Sequence, residues 1–244
     1  MEITYLGHSG FLIEWETCYW LFDYYKGNIP TMNTEKKIFV FASHKHGDHY
    51  NPKIFELYDK YKNIQFILSS DIKLSKEKMG VANEILENIV SVKPSNQYEM
   101  YVKDDERIIL QTLNSTDCGV AFLLYYQDKV IYHAGDLNLW VWKGESKQYN
   151  NNMTANYNKE MNKLKDVRID IAFVPLDPRQ EEYYYMGMES LLDTANIKYV
   201  FPMHFWEKPS IISQFKKDRA TKLTNSSTNI MDIYEDGQNW NIEI

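Results

Sequence analysis

Residues 41 to 51 read FASHKHGDHYN, placing three histidines and an aspartate within the six positions from His44 to His49. His44 and His46 are separated by one residue, so an extended backbone points both imidazoles to the same side, where they can converge on one cation. Gly47 then opens a turn that lets Asp48 and His49 aim at a second point. The spacing suits two metal ions better than one. Imidazole with carboxylate favours zinc, iron or manganese over calcium or magnesium. A histidine tag binds metal without function, but this cluster is internal, follows an apolar run and precedes a helix start.

The elements that must hold the cluster can be read around it. Apolar and β-branched runs at 3–6, 10–15, 18–23 and 37–43 predict strands separated by turns. A helix is expected over 51–63, with Asn51 as N-cap, Pro52 as first helical residue, and Ile54, Leu57, Tyr58 and Tyr61 at helical spacing. The histidines therefore sit on a loop between a buried strand and a helix. Further strands are expected at 64–70, 97–102, 107–113, 119–126 and 129–135, the last two joined as a hairpin. The polar, Asn-rich stretch after Trp142 reads as a surface loop leading into a helix near 154–165. Strands at 169–175 and 198–202 then alternate with helices at 185–195 and 209–218, and strands at 229–234 and 240–244 close the chain. Strands first and alternating units later predict an α/β fold, a mixed sandwich with helices outside. With no repeat or linker, residues 1–244 read as a single domain.

Two distant segments offer more ligands. IYHAGDLN places Asp136 at the end of a strand, and YVFPMHFW does the same for His204, where loop-borne functional side chains tend to gather. The order HKHGDH, HAGD, PMH resembles the metallo-β-lactamase superfamily. YLGHSGFLIE and LFDYY extend the resemblance to the opening strands, particularly in the short branch that includes ascorbate-phosphate lactonases, and it spans residues 3 to about 206. It implies a four-layer αβ/βα sandwich, two mixed β-sheets flanked by helices, with a two-metal site in a groove. By the same resemblance His44 and His46 hold one metal, Asp48, His49 and His204 hold the other, and Asp136 bridges them. Asp23 would brace the histidine loop through hydrogen bonds. One histidine of the pattern is missing from LNSTDCGVAF. Ser115 lies where it would fall, while Asp117 or Cys118 could supply a ligand. Asp117 is preferred, because a cysteine beside glycine at a strand start is more often buried filler; otherwise the first site keeps two histidines and the bridge. His8 matches a histidine common near the centre, as an outer ligand or a proton donor, and a histidine hydrogen-bonded in a turn reads equally well. His133 is expected to be a core residue.

Two cations sharing a water lower its pKa and aim it, and Asp48 would hold or deprotonate it, so hydrolysis is the expected chemistry. Trp140, Trp142 and Trp206 flank the ligands and are expected to line the groove. Arg179 could grip an anionic substrate group bidentately, or pair with Asp177 or a nearby Glu. The expected substrate is a small ester, lactone or phosphate-bearing molecule. A nuclease or phosphodiesterase is one alternative, and a diiron redox or non-catalytic metal-binding protein is another. Net charge of -7 and a pI near 5.4 give no field that draws phosphate backbones or anionic lipid. No apolar run approaches the roughly 20 residues that cross a bilayer. Cys18 and Cys118 are too few for a disulfide framework and the first ten residues lack a signal pattern, so a cytoplasmic location is expected.

Overall fold

Alternate residues of the early strands pack into different cores. Cys18, Trp20 and Phe22 of strand β3 (Cys18–Phe22) enter one hydrophobic cluster, and Tyr19 and Leu21 enter another. In β4 (Lys37–Ala42), Phe39 and Phe41 join the first cluster, and Ile38, Val40 and Ala42 the second. A strand apolar on both faces must lie between two covering layers. The computed structural model describes residues 1–74, 83–223 and 227–244.

Among the described residues the strands form two seven-stranded mixed sheets. The first contains β1 (Glu2–Gly7), β2 (Gly10–Glu14), β3, β4, β5 (Ile64–Ser69) and β6 (Ile89–Val92), with β14 (Asn239–Asn241) beside β1. The second runs from β7 (Gln97–Lys103) through β8 (Glu106–Asn114), β9 (Val120–Tyr126), β10 (Lys129–His133), β11 (Arg168–Pro175) and β12 (Asn196–Met203) to β13 (Asn229–Ile230). In each sheet three antiparallel pairings are followed by three parallel ones. The aromatic core lies between them: Phe22 stacks on Phe41 at 4.7 Å and on His133 at 4.9 Å, and Phe11 meets Phe173 at 4.4 Å. Helices α3 (Lys147–Met161), α4 (Met186–Thr194) and α5 (Ser210–Asp218) bury Tyr157, Met161, Met188, Leu191, Ile212 and Phe215 in the same cluster as the second sheet. Ile54, Phe55 and Ile85 cover the first sheet's other face. Ile85 comes from α2 (Asn83–Glu87).

Parallel pairing positions the functional loops. Phe22 pairs with Phe41, so Asp23 and the histidine loop leave the same edge of the first sheet. His133 pairs with Phe173, and Phe173 with Phe201, so the loops bearing Asp136, Asp177 and His204 leave one edge of the second. Backbone bonds join the two edges: Val120 N–H donates to the Ser43 carbonyl at 2.9 Å, and His204 N–H to the His8 carbonyl at 3.1 Å.

Three local expectations change. The segment after the histidines is a 3-10 turn, Pro52–Glu56, capped by Asn51, and then a single helical turn α1 (Leu57–Lys60) rather than one helix over 51–63. Helix α3 begins at Lys147, inside the stretch expected to be a loop: Ser146 accepts from the Tyr149 amide as N-cap, and Met153, Tyr157 and Met161 recur every fourth residue toward the core. The closing strands shrink to two and three residues, and β6 was not anticipated.

Candidate metal centre

Two buried carboxylates aim the histidines. Asp23, just past β3, accepts from the Ser43 amide at 2.7 Å and from its hydroxyl at 2.6 Å, and lies 2.7 Å from His49 Nδ1. Ser43 Oγ donates to Asp23, so the same oxygen accepts from His44 Nδ1 at 3.0 Å. His49 and His44 thereby keep a proton on Nδ1 and turn Nε2 inward. Asp177, just past β11, does the same for His204, whose Nδ1 lies 3.0 Å away. From the sequence alone Asp177 is expected only as a partner of Arg179, not of a histidine. The signal was available: LFD after β3 and PLD after β11 both place an aspartate directly beyond an apolar strand.

The inward-facing atoms form two groups: His44, His46, Asp117 and Asp136, and His8, Asp48, His49 and His204. Asp136 addresses both groups. Its Oδ2 is 3.5 Å from His44 Nε2, while Oδ1 is 3.2 Å from His49 Nε2 and 3.4 Å from His204 Nε2. Asp117 Oδ2 lies 3.3 Å from His46 Nδ1. Ligands about 2.0–2.1 Å from a tetrahedral metal stand roughly 3.3–3.4 Å from one another, so the donors are spaced as a metal requires. Nε2 of His8, His44, His49 and His204 and Oδ1 of Asp136 are buried without a hydrogen-bond partner. Five such atoms turned toward one another would be costly unless a cation satisfied them. The residues fit divalent metal.

Electrostatics agree. Burial opposes charge on Asp136, but His49 and His204 outweigh it and hold the carboxyl well below its ordinary range. Burial likewise opposes charge on His49, yet Asp136 and Asp23 raise it well above an ordinary imidazole. The two carboxylates thus favour positive charge at His49. Burial pushes His8 down to about 4, which makes it a neutral imidazole at pH 7 and suits a ligand better than a proton donor. Asp48 is held below the usual carboxylate range by His8 and His49 despite its burial.

The backbone is strained where these groups converge. His8, Asp23 and His204 have φ of 55°, 39° and 63°, a region that costs a side-chain-bearing residue about 1–3 kcal/mol. At Gly119, φ is +70° and a Cβ would stand 2.0 Å from the Ser43 carbonyl oxygen, so only glycine admits the histidine loop there.

Of the alternatives for the missing histidine, Asp117 alone joins the ligand group. Ser115 Oγ accepts from the Asp117 amide at 3.2 Å, and Cys118, whose thiol burial pushes up, stands outside the group. His133 is a core residue, with Nε2 3.0 Å from the Ser9 carbonyl. A cleft of about 260 Å³ opens above the donors, lined by Trp140, Trp142 and Arg179 and, unanticipated, by Thr116, Tyr149 and Met153. Arg179 is bound by its neighbour: Nε and Nη2 both donate to Asp177. Trp206 departs from expectation. It lines an adjoining hollow with Tyr5, His8 and Phe205, its indole reaching Asp177 at 3.3 Å and its face covered by Arg179 at 4.4 Å.

The model of the family described as beta-lactamase superfamily domain matches residues 2–204. The chain belongs to the metallo-β-lactamase superfamily. Similar proteins include a UPF0173 metal-dependent hydrolase of Desulforamulus reducens, 24% identical over 265 residues with 98% of each chain covered. A second, from Bacillus cereus, is 26% identical over 250 residues, covering 96% of this chain and 98% of the relative. Among solved structures, Igni18, a metallo hydrolase from Ignicoccus hospitalis, matches 100% of this chain and 98% of its own with a TM-score of 0.65. At 18% identity that likeness is one of fold.

Proposed function

We propose that this metal-dependent hydrolase holds two divalent cations, with zinc the first choice, and cleaves a small ester, lactone or phosphate-bearing molecule with water. One observation carries the reading: Asp136 Oδ2 faces the unpartnered Nε2 of His44, and Oδ1 those of His49 and His204. The whole-length relatives named metal-dependent hydrolases support it.

His44, His46 and Asp117 would hold one ion, and His8, Asp48, His49 and His204 the other, with Asp136 between them. When bound, the cations supply the Lewis acidity that makes water acidic near neutral pH and stabilises charge developing on the substrate. The protein's part is orientation. Asp23 and Asp177 fix the histidine tautomers. Asp48, a quarter exposed toward the cleft and ionised, is placed to hold the attacking water by one of its protons. For an ester, the water oxygen bonds the acyl carbon, the bond to the leaving oxygen breaks, and one water proton passes to that oxygen. The site works within one domain, and no helix among the described residues is long and apolar enough to cross a membrane.

The test is ester and phosphodiester turnover by zinc-loaded protein before and after chelation. Turnover that vanishes with chelator and returns with zinc is expected. Turnover indifferent to chelation would reject the reading.

A further inference from the structure

Beyond the donors, the cleft is lined by polar groups, His46, Asp48, Asp117 and Thr116, and by an aromatic-rich wall of Trp140, Trp142, Tyr149 and Met153. The two indoles are parallel within 4°, with centroids 6.0 Å apart. Trp140 is buried and tied to the site: its Nε1 donates to the Asp136 carbonyl at 2.9 Å and its ring meets His204 edge-on at 5.5 Å. Trp142 is half-buried and Tyr149 is 40% exposed.

The wall is built in advance. Asn150, one turn into α3, bonds both backbone groups of Trp142: its Oδ1 accepts from the Trp142 amide at 3.1 Å, and its Nδ2 donates to the carbonyl at 2.9 Å. The helix is itself capped by Ser146. The loop that bears Trp142 and the helix that bears Tyr149 and Met153 therefore hold one another, and a ligand laid on the wall orders little on binding.

Charge narrows the ligand further. The cleft's basic side chain away from the histidines, Arg179, is already paired with Asp177 through Nε and Nη2. The carboxylates of Asp48, Asp117 and Asp136 face the same space. An anionic group remote from the reacting bond would find no unpaired cation among the cleft's lining residues. The volume of about 260 Å³ falls below the ordinary span of drug-sized sites, about 300–1,000 Å³.

We propose that the substrate is a small, uncharged ester or lactone carrying one flat apolar ring, and that the ring lies on Trp142 and Tyr149 while the ester group reaches the Asp136 end of the cleft. The assignment of an ester rests on the hydrolase reading above; the ring site does not.

The experiment pairs turnover with binding. Zinc-loaded protein is given phenyl acetate, its ring-carboxylated analogue, and hexafluoroisopropyl acetate, an aliphatic ester of comparable leaving-group acidity. In parallel, saturation-transfer NMR follows the ring protons of acetanilide, an amide that mimics phenyl acetate and resists cleavage. Phenyl acetate is expected to exceed both other esters at least ten-fold in kcat/KM, and Trp142→Ala and Tyr149→Ala to lower the aryl-to-aliphatic ratio at least ten-fold. Acetanilide saturation should disappear in both variants and persist in Tyr101→Ala, which removes an exposed ring on β7. Tyr149, being exposed, tests the wall even if Trp142→Ala misfolds. Cleavage without aryl preference, preference for the carboxylated ester, or saturation unchanged in the Tyr149 variant would overturn the ring site and leave the hydrolase reading standing. Acetanilide bound at the wall with no ester cleaved would overturn the ester assignment and leave the ring site; the hydrolase reading would then stand or fall on chelator-sensitive phosphodiester turnover.

Discussion

Each histidine nitrogen turned into the centre is governed by what its other nitrogen touches. His49 is set by Asp23 and His204 by Asp177, both at hydrogen-bond distance and both fully buried. An Asp177→Asn substitution keeps the shape but can offer His204 an amide hydrogen instead of an acceptor, and it releases Arg179. Loss of such an outer partner ordinarily costs 10–100-fold in metal affinity. Zinc competition against a chromophoric chelator is expected to show a loss of about that size in this variant. Unchanged affinity would mean that His204 does not depend on Asp177. The two cysteines differ for a related reason. Burial raises both thiols, Cys18 to about 12, but Cys18 is closed off from solvent whereas Cys118 is partly exposed. The reactive species is the thiolate. Thiol titration at pH 8 should find Cys118 alone reacting in the folded protein and both reacting in denaturant; two fast thiols without denaturant would contradict this.

The centre exists because strands of two sheets end at one edge, and their register depends on the aromatic core between them. Phe22 immediately precedes Asp23 and stacks on both Phe41 and His133. Phe22→Ala should destabilise the fold by about 3–5 kcal/mol in denaturant unfolding, as large aromatic deletions in packed cores do; a cost below about 1 kcal/mol would show that the stack is not what sets the register. Much of this level was legible in the sequence. Strands β1 to β5 and β7 to β12 announce themselves because buried runs are apolar, or half-buried ones alternate, and turn residues bound them. Helix α3 did not, since six asparagines in 150–162 mask a period carried by Met153, Tyr157 and Met161. β6 is four residues with one buried side chain, too little for any pattern. At the site, the spacing of the candidate ligands was visible, as was Asp117 as a candidate beside them. The far wall was not, because Tyr149 and Met153 reach the cleft from a helix whose place depends on tertiary packing. Trp206 shows the converse: adjacency to His204 in sequence put it near the centre, but its left-handed backbone, φ 47°, accompanies a side chain in the adjoining hollow.

At the scale of the molecule, two sheets with the same order of antiparallel and parallel pairings each contribute one side of the centre. His44, His46, Asp48 and His49 come from the first sheet's edge, and Asp136 and His204 from the second's. Bound cations would therefore clasp the two halves, with the Asp136 carboxylate facing both donor groups. The most direct test is metal content by inductively coupled plasma mass spectrometry, after zinc loading and desalting, for the wild type and for Asp136→Ala. About two zinc ions per chain are expected in the wild type and clearly fewer in the variant; equal content in the two proteins would contradict the bridge and the dinuclear centre built on it.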